Sequence, residues 1–425
     1  MTISDNQKKY MNQESIHGPD NYKPLEVVLS EAKGVWVWDV DRNKYLDMMS
    51  AYSAVSHGHA HPELVKVFRE QSETLSLTSR AFYTNTLGPY LETITKMSGF
   101  EMALPMNSGA EAVETAIKSA RRWAYRSKKI ESNKAEIIVA EGNFHGRTTT
   151  VISFSSDPGS KDYFGPHTPG FIHIPHNDLN ALEKTLSEEK NVVSFLVEPI
   201  QGEAGVNVPD DNYIQGVREL CTKYNILMIA DEIQTGLGRT GSLLASCGNC
   251  DCSNSCEQQS SYVRPDILIL AKALSGGTYP ISAVLCDSEI MEVIQPGQHG
   301  STFGGNPFAA SIAKKALEII IEENLSQNAR KLGEIFRAEI NKFIETSNIV
   351  NLVRGKGLLN AIVINDSPDS KTAWNICLRL RDNGLLAKPT QGNVIRFAPP
   401  LVMTEDQLYD CIRIITSTIN EFETK

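Results

Sequence analysis

A lysine that closes an unbroken apolar run is where this sequence is chemically most suggestive. Lys272 ends LILAK and precedes small residues and two glycines, ALSGG. Most lysines belong to the surface, but a desolvated one has a depressed pKa and becomes a usable amine nucleophile. Asp231, 41 residues earlier, ends the apolar stretch ILMIAD. An acid at the carboxyl end of a buried strand either caps the next turn or holds a cationic group, and a protonated pyridine nitrogen is such a group. A third feature is MNSGAEAVETAIKSARRWAY (106–125), where Ser108 and Glu111 form an S-x-x-E capping box. The box predicts a helix starting near Gly109, whose free amides and dipole either only begin a helix or also bind an anion.

Two further patterns compete for attention. In TGLGRTG, Gly236, Gly238 and Gly241 have G-x-G-x-x-G spacing after an apolar run. A dinucleotide site needs a helix opening there and an acid about 20 residues on. SLLASCGNCDCSNSC follows instead, so a nicotinamide site is set aside. Within the polar insertion 246–261, Cys247, Cys250, Cys252 and Cys256 are spaced C-x2-C-x-C-x3-C. Four thiolates could close a tetrahedral zinc site, form a reversible disulfide, or stay free in a polar loop. The C-x-C step is too short for two ordinary zinc knuckles, so no metal is assigned. Cys221, Cys286, Cys377 and Cys411 stand singly in apolar or amphipathic surroundings and read as small core residues.

The elements that must position these groups can be read from the apolar pattern. The strand candidates AEIIVA (135–140), SFLVEPI (194–200), ILMIADEI (226–233), DILILA (266–271) and ISAVLC (281–286) alternate with helical segments. Near-continuous apolar character suits strands covered on both faces, hence an α/β fold with a largely parallel sheet between helices. GVWVWDVDRNKYLDMMS (34–50) reads as a hairpin, and PELVKVFREQSETL (62–75) as a helix opened by proline. Beyond residue 306, two amphipathic helices (307–323 and 325–346), VRGKGLLNAIVI, a helix at 371–383, NVIRFAPP and a last helix from 404 make a smaller α+β lobe. The expected division is an N-terminal segment, 1–60, that packs with the small lobe, a large lobe, 61–310, and a C-terminal lobe, 311–425. At 425 residues, more than one lobe is the natural expectation.

A composition of 41% hydrophobic and 22% charged residues is that of an ordinary globular protein. The formal net charge of -10 argues against nucleic-acid and anionic-membrane partners. No apolar run of about 20 residues is present to span a bilayer. The polar N-terminus, MTISDNQKKYMNQESIHGPDNY, contains acids and no arginine, unlike a signal or transit peptide, and leads to the expectation of a cytoplasmic enzyme.

Taken together, the motifs resemble the ornithine δ-aminotransferase branch of the fold-type I, subgroup III aminotransferases. MNSGAEAVETA, EGNFHGRT, VEPIQGEAGV, ADEIQTGLGRTG, AKALSGG, HGSTFGGNP, RGKGLLNAIVI and RLRDNGLLAKPT carry the resemblance, which runs from NYKPL (21–25) to RFAPPL (396–401). It implies pyridoxal 5'-phosphate as cofactor, joined covalently to Lys272. It also implies that Asp231 pairs with the pyridine nitrogen, Gln234 contacts the phenolic oxygen and Phe144 stacks on the ring. Ser108, Gly109 and Ala110 would hold the phosphate, with Ser301 and Thr302 reaching across a homodimer to the neighbouring site. Tyr22 and Tyr52 would contact the α-amino and α-carboxylate end of ornithine. Arg147 would hold the ornithine carboxylate and later the distal carboxylate of 2-oxoglutarate. Arg396 would bind the other carboxylate of 2-oxoglutarate, and Glu203 would pair with Arg396 while ornithine is bound. Glu198 would support the site, and His145 would be a pocket wall. The implied products are glutamate 5-semialdehyde and glutamate, a link between arginine breakdown and proline or glutamate. Acetylornithine and 4-aminobutyrate are the rival donors, and enzymes that act on the latter carry an aliphatic residue in place of Tyr52. A rival of another class is an inactive relative with a regulatory or metal-binding role through the cysteine loop. The insertion after GLGRTG departs from the family pattern by about a dozen residues.

Overall fold

The computed structural model describes residues 3–247 and 263–423. A helix over Asp5–His17 begins at Ser4, whose hydroxyl accepts from the Gln7 amide at 3.1 Å. Three antiparallel strands follow: β1 (Leu29–Lys33), β2 (Trp36–Asp39) and β3 (Lys44–Asp47). Asp39 shapes the β2–β3 turn by accepting the amides of Asp41 and Asn43 at 2.9 and 2.8 Å. The helix Pro62–Ser72 has proline in its first turn, where the missing N–H costs nothing.

The central sheet contains β4 (Met102–Met106), β5 (Glu136–Ala140), β6 (Phe171–Ile174), β7 (Val192–Val197), β8 (Leu227–Asp231), β9 (Ile267–Leu270) and β10 (Ser282–Cys286). Their order is β4-β10-β9-β8-β7-β5-β6. Strand β10 runs antiparallel to both neighbours, and the pairings from β9 to β6 are parallel. Side chains alternate across the strands, as the two-residue repeat requires. Ile137, Val139, Leu196, Leu227 and Ile229 enter one core with Val113 and Ile117 of the helix Gly109–Trp123. Ile138, Phe195, Val197 and Met228 enter the opposite core with Val217 and Cys221 of the helix Tyr213–Lys223. Burial on both faces is why these strands read as unbroken apolar runs.

The C-terminal part forms a four-stranded antiparallel sheet from β11 (Val350–Lys356), β12 (Leu359–Ile364), β14 (Lys388–Gln391) and β15 (Val394–Phe397), with β13 (Leu385–Leu386) outside it. Strand β13 instead extends the N-terminal sheet, Leu385 opposite Leu46 in parallel pairing. The helices Pro307–Glu322, Leu325–Ile344, Thr372–Asp382 and Glu405–Glu423 occupy the four expected positions. No helix of the described residues is long and apolar enough to cross a membrane. Cys221, Cys286, Cys377 and Cys411 are buried, in keeping with core roles. Cys247 is buried too, and Cys250, Cys252 and Cys256 lie outside the described residues.

Candidate active site

Parallel pairing of β8 with β9 brings Asp231 and Lys272 to the same edge of the sheet, although 41 residues separate them. Both line a cavity of about 490 Å³ at the carboxyl ends of the strands, where open α/β sheets bind ligands. Lys272 enters it from a short helical turn, Lys272–Ser275, with a φ of +44°, a backbone state that non-glycine residues hold only when their surroundings impose it. Burial holds its ammonium below the ordinary lysine range. It therefore surrenders a proton readily.

Asp231 caps a turn and also holds a buried imidazole. One carboxylate oxygen accepts the Ile233 amide at 3.0 Å, which caps the turn after β8. The other meets Nδ1 of His145 at 2.6 Å, and both side chains are buried. Burial opposes protonation of this imidazole, but the hydrogen bond and charge of Asp231 outweigh it and raise the pKa. His145 is thus more than a pocket wall: it fixes the acid that faces the cavity. Nothing near His145 in the sequence signals this, because its partner lies 86 residues away. Glu198 accepts the Phe144 amide at 3.0 Å, and burial pushes its carboxyl up to about 7.

The capping box forms as read. Glu111 accepts the amides of Asn107 and Ser108, each at 2.9 Å, and Ser108 Oγ accepts the Glu111 amide at 3.2 Å. The next first-turn amides, those of Gly109 and Ala110, lie along the cavity wall with the helix dipole behind them. Gly146 has a φ of +122°, and a Cβ there would come within 2.8 Å of Ala110 Cβ. Glycine at 146 therefore lets the loop that bears Phe144 close against this helix start.

At the cavity mouth, Arg396 Nη1 donates to Glu203 Oε1 at 2.6 Å and to Gln234 Oε1 at 3.3 Å. Burial alone would raise the Glu203 carboxyl, but the charges of Arg396 and Lys272 hold it below its ordinary value. Gln234 also donates to Glu203 Oε1 at 3.1 Å and to the Tyr52 carbonyl at 3.3 Å. The Tyr52 ring centre lies 5.4 Å from the Arg396 guanidinium carbon. Arg147 lines a neighbouring cavity that also reaches Phe144 and Glu203, and its guanidinium sits 5.8 Å from the Phe144 ring centre. Tyr22 is exposed, yet near enough to Tyr52 to help raise its pKa, after burial and Glu203. Ser301 accepts from Asn107 Nδ2 at 2.7 Å. Thr302 is exposed and lies outside the cavity of its own chain, in a shallow recess with Arg80 and Phe82.

A family model described as "Aminotransferase class-III" matches residues 17–419. The chain belongs to the class-III aminotransferases. It is 56% identical to the ornithine aminotransferase, mitochondrial, of Rattus norvegicus, over 96% of this chain and 90% of the relative. A structure described as acetylornithine aminotransferase from Elizabethkingia anophelis is 58% identical, with a TM-score of 0.89, covering 99% of this chain and 100% of that one. A Toxoplasma gondii ornithine aminotransferase, described with partial occupancy of PLP at its active site, is 41% identical with a TM-score of 0.93, covering 99% and 96%. The cytoplasmic expectation drawn from the N-terminal composition is corrected here. The rat relative and those of Drosophila melanogaster and Caenorhabditis elegans are all named mitochondrial.

Class-III aminotransferases use pyridoxal phosphate, and the cavity suits that molecule. It offers a desolvated amine in Lys272, an acid fixed by His145, an aromatic face in Phe144 and a helix start for a phosphate.

Proposed function

We propose that the chain transfers the δ-amino group of L-ornithine to 2-oxoglutarate, giving L-glutamate 5-semialdehyde and L-glutamate in two half-reactions. The observation that carries this reading is the Glu203–Arg396 pair beside Tyr52, at the mouth of a cavity that contains Lys272. One pocket must accept a dibasic amino acid and then an acidic keto acid, and a guanidinium that can be covered or uncovered meets both demands.

Pyridoxal phosphate, when bound, supplies the electron sink that makes the C–H bond next to the reacting nitrogen acidic. Ser108, Gly109 and Ala110 would hold its phosphate, and Phe144 would cover one face of the ring. Asp231, steadied by His145, would keep a proton on the ring nitrogen, and Gln234 would turn to the phenolic oxygen. Lys272 would hold the cofactor through its amine and move a proton to and from the substrate carbon. While ornithine is bound, Glu203 keeps Arg396 occupied. Tyr22 and Tyr52 then take the α-amino and α-carboxylate end, with Arg147 on the carboxylate, and the δ-amine points inward. When 2-oxoglutarate enters, Arg396 leaves Glu203 for the carboxylate beside the keto group, a two-point contact suited to guanidinium. Arg147 holds the distal carboxylate.

Phe82 lies beside Thr302 in space and Phe303 beside it in sequence, both exposed, and Tyr83, next to Phe82, is 99% exposed. We read this surface as the one a second copy covers, with Ser301 and Thr302 reaching its phosphate site. The aldehyde product cyclises to a pyrroline carboxylate, which links arginine breakdown to proline and glutamate.

The experiment is an amine panel. Purified holoenzyme receives 2-oxoglutarate with ornithine, acetylornithine or 4-aminobutyrate, and semialdehyde is trapped. Ornithine should give the highest kcat/KM. A higher value for acetylornithine would transfer the assignment to the activity in the Elizabethkingia anophelis description.

A further inference from the structure

The glycine-rich loop after β8, with dinucleotide-like spacing, has a different task in the fold. Gly238 and Gly241 adopt φ values of +91° and +89° on either side of Arg239. Arg239 has no accessible surface, and burial pushes its guanidinium down to about 9. No carboxylate forms an ion pair with it among the described residues. Neutral oxygens meet its two terminal nitrogens instead, while its buried Nε has no partner among the described residues. Nη1 donates to the carbonyls of Leu358 at 2.9 Å and Pro399 at 2.6 Å. Nη2 donates to the hydroxyls of Ser56 at 2.9 Å and Ser50 at 3.3 Å.

These acceptors are placed suggestively. Pro399 lies three residues beyond Arg396. Ser50 begins and Ser56 closely follows the run Ser50, Ala51, Tyr52 and Ser53, whose φ values are +42°, +48°, +57° and +74°. Four successive L-residues in the left-handed region form a turn that persists only where the surroundings over-determine it. The determinants are visible. Asp47 accepts the amides of Met49 and Ser50 at 2.8 and 2.9 Å. The Ser50 hydroxyl donates to the Ala398 carbonyl at 2.6 Å, and the Ser56 hydroxyl donates to the Ser53 carbonyl at 2.9 Å. Arg239 grips both hydroxyls and also the chain just past Arg396. Tyr52 sits inside the turn, its ring over the Arg396 guanidinium.

We propose that Arg239 is a positioning residue for substrate selection, locking the left-handed turn Ser50–Ser53 against the segment after β15 so that Tyr52 stays aimed over Arg396. It touches neither substrate nor cofactor and acts through Ser50 and Ser56. The proposal rests on the reading of Tyr52 as a substrate-binding residue and adds the device that holds it there.

A double-mutant cycle on the holoenzyme tests it, with KM for ornithine, KM for 2-oxoglutarate and kcat measured for each variant. Arg239→Lys should raise the ornithine KM by about tenfold while kcat falls by less than about threefold. In a Tyr52→Ala background, the same substitution should leave the ornithine KM within about twofold. Ser56→Ala removes one gripped hydroxyl and keeps the buried charge, so it serves if Arg239→Lys does not accumulate. It should raise the ornithine KM by about threefold or more, and that rise should also vanish with Tyr52→Ala. A purely structural arginine would lower thermal stability or active fraction without moving the ornithine KM. That result, or effects that multiply with Tyr52→Ala, overturns the proposal alone. An unchanged ornithine KM in Tyr52→Ala itself overturns both the proposal and the substrate reading beneath it.

Discussion

Replacing Glu203 with glutamine should change which carboxylate the enzyme welcomes. The substitution keeps shape and a hydrogen-bond acceptor beside Arg396 but removes the charge. In the present pair the N–O distance is 2.6 Å, with 7% of the arginine side chain and 26% of the glutamate side chain exposed. Arg396 keeps its charge and its hydrogen bond to the glutamine, so what is lost is the ion-pair attraction, about 1–2 kcal/mol for a partly buried pair between the exposed and fully desolvated limits. The glutamine variant therefore holds Arg396 more weakly by about 1–2 kcal/mol, and an incoming carboxylate meets that much less competition. This corresponds to a KM for 2-oxoglutarate lower by roughly five- to thirtyfold. Ornithine is affected in the opposite sense. Its α-carboxylate can now reach Arg396, which brings the α-amine to Lys272 and diverts turnover from semialdehyde to a 2-oxo acid. Steady-state kinetics with both substrates, combined with separate trapping of the two products from ornithine, reads both effects. An unchanged KM for 2-oxoglutarate together with undiminished δ-selectivity would refute the gating role of Glu203.

His145→Leu removes the donor that meets Asp231 at 2.6 Å; losing this charged contact costs about 1.5–3 kcal/mol and should weaken cofactor retention roughly tenfold or more, read by absorbance on dilution. Retention equal to that of the parent protein would contradict the positioning role. Glu198 titrates near 7 in the fold rather than near 4.5, so its contribution is fully present below the unfolded pKa and is lost as pH rises through the folded one. That amounts to up to about 3 kcal/mol between pH 5 and 8. Glu198→Gln should flatten this fall in a series of thermal melts, and parallel slopes for the two proteins would speak against it. Ala51 is exposed with a φ of +48°; Ala51→Gly relieves a left-handed cost of about 1–2 kcal/mol against a glycine entropy of about 0.5–1, for a net gain of about 0.5–1 kcal/mol. A lower melting temperature would argue that this turn carries no strain.

The elements best legible in the sequence are those whose burial is complete. Strands β5 and β7 to β10 are covered on both faces, so their apolar runs announced them. The edge strands β4 and β6, Met102–Met106 and Phe171–Ile174, escaped notice because a proline or a histidine interrupts each apolar run and several of their positions are partly exposed. The helix Asp5–His17 was hidden by a polar composition, although Ser4 and Gln7 make an S-x-x-Q start signal. At the site, Lys272, Asp231 and the capping box were visible because a polar residue that ends an apolar run stands out locally. The partnership of His145 with Asp231 was not, since only the folded sheet joins positions 86 residues apart. The left-handed turn at Ser50–Ser53 was equally silent: no glycine or asparagine marks it, and its cause lies in Asp47, Arg239 and Ala398. The spacing of Gly236, Gly238 and Gly241 matches a dinucleotide fingerprint that the absent helix already ruled out, and the loop instead buries an arginine. A shared spacing does not carry a shared purpose when the next helix is missing.

The central claim is that one lysine, at the carboxyl edge of the sheet beside Asp231, holds the cofactor. Borohydride treatment of the yellow holoenzyme, followed by digestion and mass analysis of the peptides, tests it directly. The expected result is a single stable pyridoxyl adduct on Lys272, with no adduct on a Lys272→Ala variant. Labelling of another lysine, or no label on a fully active preparation, would contradict it.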